Sequence, residues 1–298
     1  MESFQSKVFK VLLRLTGRKR FWERTGKDFQ KGIAKMRSAN TDPPKRLRRT
    51  LNVDKRGMNG HYYYELRPIK GSGKKHVFYL HGGGYVNPIT IYHWNFLGRL
   101  ANELNSTITV PLYPLAPEYT YEHTFNFIYP LYMEQAKRVE DPADMVLMGD
   151  SAGGGLALSL ALYLKDKEVS QPGEIILNAP FLDITLTNPE IDAIDKYDPM
   201  ISKFGAREAG KMYAGDADPT LHLLSPMYGE LKGLGEMTLI IGTHDILVAD
   251  ARKFKKKAEE QGVPIHYYEY PKMVHVFPLF NYPESKRAMK QIVHNIIK

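Results

Sequence analysis

The sequence predicts an α/β fold: a mostly parallel central sheet with helices on both faces. Three observations carry this. From about Lys75 onward, short apolar runs alternate with helical patterns. A run such as Met145–Met148 is apolar at every position, as a strand covered on both faces requires. The chain has 298 residues, 43% of them apolar, which suits one large α/β domain or two small ones with a sizeable core.

The expected strands are His76–Leu80, Thr107–Leu112, Met145–Met148, Glu174–Asn178, Met237–Ile241 and Ile265–Tyr270. Helical patterns fall near Tyr92–Leu104, Thr124–Arg138, Ala152–Lys165, Ala249–Gln261 and Glu284–Ile297. Ahead of them, Tyr62–Leu66 reads as an antiparallel strand, with another around Arg49–Val53. Two stretches break the alternation. One is residues 1–45, ending in Thr41-Asp42-Pro43-Pro44. The other is residues 183–229, punctuated by Asn188-Pro189, Asp198-Pro199, Asp218-Pro219 and Ser225-Pro226 and long for a strand-to-helix connection. Both read as pieces of a helical cap over the sheet's carboxyl edge, with residues 46–298 forming the main domain.

Composition narrows the function classes. There is no cysteine, so no disulfide framework and no thiolate site. No apolar stretch is of membrane-spanning length, and the first 22 residues interrupt their apolar positions with Lys7, Lys10 and Arg14, which makes a poor secretory signal. A cytoplasmic location is the expectation. Net charge is +8, but residues 1–56 hold 17 Lys/Arg against 5 Asp/Glu, leaving the remainder mildly acidic. No nucleic-acid motif accompanies that charge. Phe4, Val8, Val11, Leu12 and Leu15 recur at helical spacing in this basic head, with Lys7, Lys10, Arg14 and Arg18 between them. Such a helix suits peripheral contact with an anionic bilayer, or a place in the cap.

The chemistry centres on Gly149-Asp150-Ser151-Ala152-Gly153-Gly154-Gly155, between a strand and a helix. Glycines two residues either side of Ser151 permit a tight turn that presents the hydroxyl, where side chains at 149 or 153 would collide with the neighbouring strand and helix. A serine hydroxyl needs a base, a group to orient that base, and donors for a developing oxyanion. His275 follows the last strand and precedes the last helix, so it is the candidate base. His266 lies inside a strand pattern and His244 precedes the candidate acid. Asp245 follows a buried strand and is the candidate orienting acid, with Asp250 and Asp198 as rivals. The order Ser151, Asp245, His275 is that of an α/β-hydrolase. His81-Gly82-Gly83-Gly84-Tyr85 follows its own strand and supplies backbone donors: Gly83 and Gly84, with Gly82 as the register alternative, alongside Ala152.

These residues resemble the hormone-sensitive-lipase-like family of α/β-hydrolases, which includes many bacterial carboxylesterases. The resemblance rests on His81–Tyr85, on Tyr113-Pro114-Leu115-Ala116-Pro117-Glu118, and on Gly149–Gly154, with Asp245, His275 and Asp198-Pro199-Met200 in family positions; it spans about residues 70–298. It implies hydrolysis of a small-molecule ester, usually of short acyl chain, with no cofactor and no metal. The family's glycine loop commonly ends in Trp; Tyr85 here points to an altered acyl pocket. Two other readings stand beside the esterase: an interfacial lipase recruited by the basic head, and a catalytically silent ligand-binding homologue.

Overall fold

The structure is a computed structural model that describes residues 2–71 and 73–298. Eight strands form one sheet: β1 (Leu51–Met58), β2 (His61–Pro68), β3 (His76–Leu80), β4 (Thr107–Leu112), β5 (Met145–Asp150), β6 (Glu174–Asn178), β7 (Glu236–His244) and β8 (Ile265–Val274). Their spatial order is β1-β2-β4-β3-β5-β6-β7-β8. β1 and β2 are antiparallel, as are β2 and β4; every other pairing is parallel. β3, β5 and β6 are buried at every residue, which is why they read as unbroken apolar runs.

Ten helices accompany the sheet among the described residues: α1 (Phe4–Leu15), α2 (Arg18–Trp22), α3 (Gly26–Arg37), α4 (Ile91–Leu104), α5 (Tyr121–Ala136), α6 (Ala152–Asp166), α7 (Glu190–Asp195), α8 (Lys203–Ala214), α9 (Val248–Glu260) and α10 (Pro283–Ile297). The strand expected around Arg49–Val53 begins at Leu51 and runs on to Met58, because Lys45–Arg49 is a turn of 3₁₀ helix. Asn59 and Gly60, both with positive φ, close the β1–β2 hairpin as a two-residue turn. β8 runs four residues beyond its expected end at Tyr270, reaching Val274.

This topology determines which loops meet. The chain leaves β3 for β4 on one side, then crosses back past β3 to β5. The crevice at that reversal lies between the carboxyl ends of β3 and β5, where α/β sheets bind ligands. Leu80 is opposite Gly149 across that pair, so the loop after Leu80 and the turn after Asp150 open side by side. At the far edge His244 pairs with Val274, which brings the next residue of each strand to the same place.

α1 docks by a different face from the one its apolar spacing suggests. Ser6 and Leu13 are buried, and the Phe9 ring packs 4.4 Å from Phe280 and 5.7 Å from Tyr282. Phe4, Val8, Val11, Leu12 and Leu15 remain exposed. α2 and α3 lie closer in: Trp22 packs against Phe29, and Arg37 at the end of α3 donates to the Val86 and Ala116 carbonyls and pairs with Glu118.

Candidate active site

Ser151 sits between β5 and α6 with φ 53° and ψ −123°, a conformation costly for a residue with a side chain. The surroundings hold it there. Its N–H donates to the Asn178 carbonyl at 2.9 Å, and its carbonyl accepts from Gly155 at 3.0 Å and Phe181 at 2.8 Å. A Cβ at Gly149 would lie 2.1 Å from the Gly153 carbonyl oxygen, and one at Gly153 would lie 2.1 Å from that of Leu80. Backbone cannot yield to such contacts, so glycine at both positions is a steric requirement of the turn.

Ser151 Oγ and His275 Nε2 are 2.9 Å apart, and His275 Nδ1 and Asp245 Oδ2 are 2.8 Å apart. The three side chains chosen from sequence therefore stand in one hydrogen-bonded row. Asp245 is fully buried, and its other oxygen accepts the Leu247 N–H at 3.0 Å. Burial alone would lower the pKa of His275. The negative charge of Asp245 and its hydrogen bond outweigh that and raise it above the ordinary 6.5, with further help from Asp198 and Asp150.

The rival acids do not reach the imidazole. Asp250 lies in α9 and accepts from Asn188. Asp198 lies behind the row: Oδ1 accepts from the N–H groups of Met200 and Ile201, and Oδ2 from that of Ile246. Burial, then the nearby charge of Asp245, push its pKa upward, opposed by His275 and by the N–H groups of Met200 and Ile201. His244 stacks on Tyr197 with ring centroids 5.3 Å apart, and exposed His266 lies against Lys298.

The glycine loop discriminates between its own donors. The Gly82 N–H donates to Asp150 Oδ1 at 2.9 Å. The N–H groups of Gly83, Gly84 and Ala152 meet no protein acceptor among the described residues. Gly83 and Gly84 have φ of 129° and 63°, a region open to glycine. Ala152 begins α6, whose positive end faces the cleft.

Asp150 is a site residue that the motif reading left unassigned. It is buried and accepts from the Tyr79 hydroxyl at 2.5 Å and, through Oδ2, faces His93 Nε2 at 3.2 Å. Burial would raise its pKa, but His93 and these donors prevail and hold it below the usual carboxylate value. The signal for His93 was local: it occupies the third position of a capping box that Thr90 opens at the start of α4.

The row opens into a cleft of about 800 Å³ whose floor includes Gly82, Gly83, Ser151 and His275. α1–α3 supply much of its roof, through Leu13, Phe21, Trp22 and Met36, and the segment before α8 adds Met200 and Ile201. Tyr85 does not line this cleft. It is buried and stacks on Tyr213 of α8 at 3.9 Å, so its departure from the commoner Trp bears on how the loop packs against α8.

A family model described as the alpha/beta hydrolase fold matches residues 77–279. The chain belongs to the α/β-hydrolase family. An esterase of Acinetobacter venetianus is 31% identical to this hydrolase over 243 residues, covering 76% of this chain and 80% of the relative. An acetyl-hydrolase of Streptomyces hygroscopicus is 26% identical over 227 residues, covering 76% of each. A solved structure from Staphylococcus aureus superimposes with a TM-score of 0.88 at 28% identity, covering 95% of this hydrolase and 96% of that chain. A hormone-sensitive lipase from a metagenome library does so with a TM-score of 0.85 at 25% identity, covering 98% and 97%. Among the described residues no helix is long and apolar enough to cross a membrane.

Proposed function

We propose that this carboxylic ester hydrolase acts on small-molecule esters by two-step acyl transfer through Ser151. Ser151 Oγ attacks the ester carbonyl while His275 Nε2 takes its proton. Asp245 holds the imidazole in the required tautomer and stabilises the imidazolium. The N–H groups of Gly83, Gly84 and Ala152 receive the oxyanion of the tetrahedral intermediate. His275 then gives its proton to the departing alcohol, and water, activated by the same imidazole, releases the acid from Ser151. The observation that carries this reading is the unbroken row from Asp245 through His275 to Ser151, next to three backbone donors with no protein acceptor among the described residues. Residues 1–45 and 183–229 act as the cap: α1–α3 roof the cleft, and Met200 and Ile201 in the segment before α8 extend that roof. A short acyl preference is supported by the family resemblance and by the acetyl-hydrolase relative.

Ser151→Ala tests it. Hydrolysis of 4-nitrophenyl acetate is expected to fall on the order of 10⁴-fold or more, with the thermal transition retained. A fluorophosphonate probe is expected to label the parent chain and not the variant. An unlabelled parent would favour the catalytically silent homologue.

One observation favours a second reading, work at a lipid surface. The exposed stripe of Phe4, Val8, Val11, Leu12 and Leu15 lies on a helix that also carries Lys7, Lys10 and Arg14, and Leu12 reaches the cleft mouth. Binding to vesicles containing anionic lipid, measured by co-sedimentation, is expected to exceed binding to zwitterionic ones and to be lost in Val11→Asp/Leu15→Asp. Equal, weak binding to both vesicle types rejects it.

A further inference from the structure

The cleft roof carries a charge pattern that ester hydrolysis does not require. Arg18, Arg20, Arg24 and Lys35 line the same cleft as Ser151 and His275. Among the described residues, none of these four side chains makes a hydrogen bond or an ion pair within the protein. Other cations of the first three helices are paired: Lys10 with Glu2, Lys19 with Asp195 and Arg37 with Glu118. Lys7, Arg14 and Lys27 are also unpaired among the described residues but do not line the cleft, so four of the seven unpaired cations of residues 4–37 do. Among the described residues the sole carboxylate lining that cleft is Asp150, and it is already engaged by Tyr79, Gly82 and His93.

Arg18 sharpens the point. Its side chain is exposed to water and lines the cleft, and partial burial lowers its pKa against the opposing influence of Tyr92. A cleft guanidinium with no carboxylate partner is free to take an arriving oxyanion through charge-assisted hydrogen bonds. A concave site of low dielectric also focuses the field of its charges on whatever enters.

We propose that the cleft selects esters bearing an anionic oxygen group, a carboxylate or a phosphate, that reaches Arg18, Arg20, Arg24 and Lys35 while the ester carbonyl lies at Ser151. This inference rests on the serine-esterase reading and adds a substrate class to it. The guanidinium forks are suited to either anion, because both present oxygens at the spacing of paired N–H donors.

Two matched substrate pairs test it. In one, 4-nitrophenyl hemisuccinate is compared with 4-nitrophenyl pentanoate, which places the charge on the acyl side. In the other, 1-butyryl-glycerol 3-phosphate is compared with 1-butyrylglycerol, which places it on the alcohol side. At low ionic strength kcat/KM is expected to favour the anionic member of at least one pair by about tenfold, and added salt is expected to erode that preference. In Arg18→Gln/Arg24→Gln the ratio of anionic to neutral kcat/KM is expected to fall about fivefold or more. In Arg18→Lys/Arg24→Lys part of it is expected to return, as it would for a point charge replacing a fork. Turnover of the neutral esters with no anionic preference in either pair, or with a preference that the Gln variant leaves intact, overturns the inference and spares the esterase reading. No turnover of any of the four esters overturns both.

Discussion

Asp198 Oδ2 accepts the main-chain N–H of Ile246 at 3.0 Å, across 48 positions of sequence. Ile246 follows Asp245, so a carboxylate from the segment before α8 braces the turn that delivers Asp245 to His275. The other oxygen of Asp198 ties down Met200 and Ile201, which line the cleft. Asp198 is therefore a positioning residue that joins the cleft wall to the loop of the acid.

Asp198→Asn tests that role by two readouts. Loss of one acceptor to the Ile246 turn is expected to lower the plateau of kcat/KM by about tenfold, on the order of 1.4 kcal/mol. Asp198 also helps to raise the pKa of His275 by its charge. Removing that charge lowers the pKa, so the acidic limb of the pH–rate profile should move to lower pH. A lower plateau with an unmoved limb would reduce Asp198 to a purely structural part.

The parent profile has its own expectation. The proposed base must be neutral to accept the serine proton, and its pKa stands above the ordinary 6.5. Activity is therefore lost as pH falls through that raised value, and the acidic limb of kcat/KM should lie above pH 6.5. A limb at or below the ordinary histidine value would contradict the influence of Asp245 on the imidazole.

The strands from β3 to β7 were legible because each carries a short, largely apolar run; β3 and β5 lead into glycine-rich turns, β6 and β7 end near Asn178 and Asp245, and β4 is closed by Pro114 and Pro117. The paired glycines around Ser151 were legible for a steric reason that the backbone contacts at Gly149 and Gly153 make explicit. Orientation was not legible. The spacing of Phe4, Val8 and Leu12 marks a helical face, but whether that face meets protein or solvent depends on Phe280 and Tyr282, which lie far along the chain. Nor does sequence disclose that Asp150 takes the Gly82 N–H, since that choice is made by the β3–β5 register. Tyr85 belongs with these: its partner Tyr213 comes from a segment with no strand or repeat to place it.

Gly84 links the roof to the proposed oxyanion donors. A Cβ there would lie 2.5 Å from Trp22 Cη2, and φ is 63°. Gly84→Ala is therefore expected to displace Trp22 and strain the loop by about 1–2 kcal/mol. The expected result is a drop of a few degrees in Tm, about a 100-fold loss of kcat/KM and a change in indole fluorescence, read in a Trp94→Phe background. Full activity in that variant would show that Trp22 yields to the added Cβ and that the loop keeps its N–H groups in place, contrary to this expectation.

Far from the cleft, Glu174 and Glu236 are opposite one another in the β6–β7 register. Glu174 is buried, and burial, followed by the charge of Glu236 and a hydrogen bond to it, pushes its pKa up to about 8 from the ordinary 4.5. A carboxyl that holds its proton more tightly when folded stabilises the native state below its unfolded pKa. That contribution declines as pH rises from 4.5 to about 8 and is absent above it. Glu174→Gln keeps a neutral donor beside Glu236 at every pH. Its Tm should match the parent near pH 5 and exceed it by a few degrees at pH 9, as about 1 kcal/mol would produce. Thermal scans whose difference between the two proteins stays constant from pH 5 to 9 would show that Glu174 ionises normally in the folded chain.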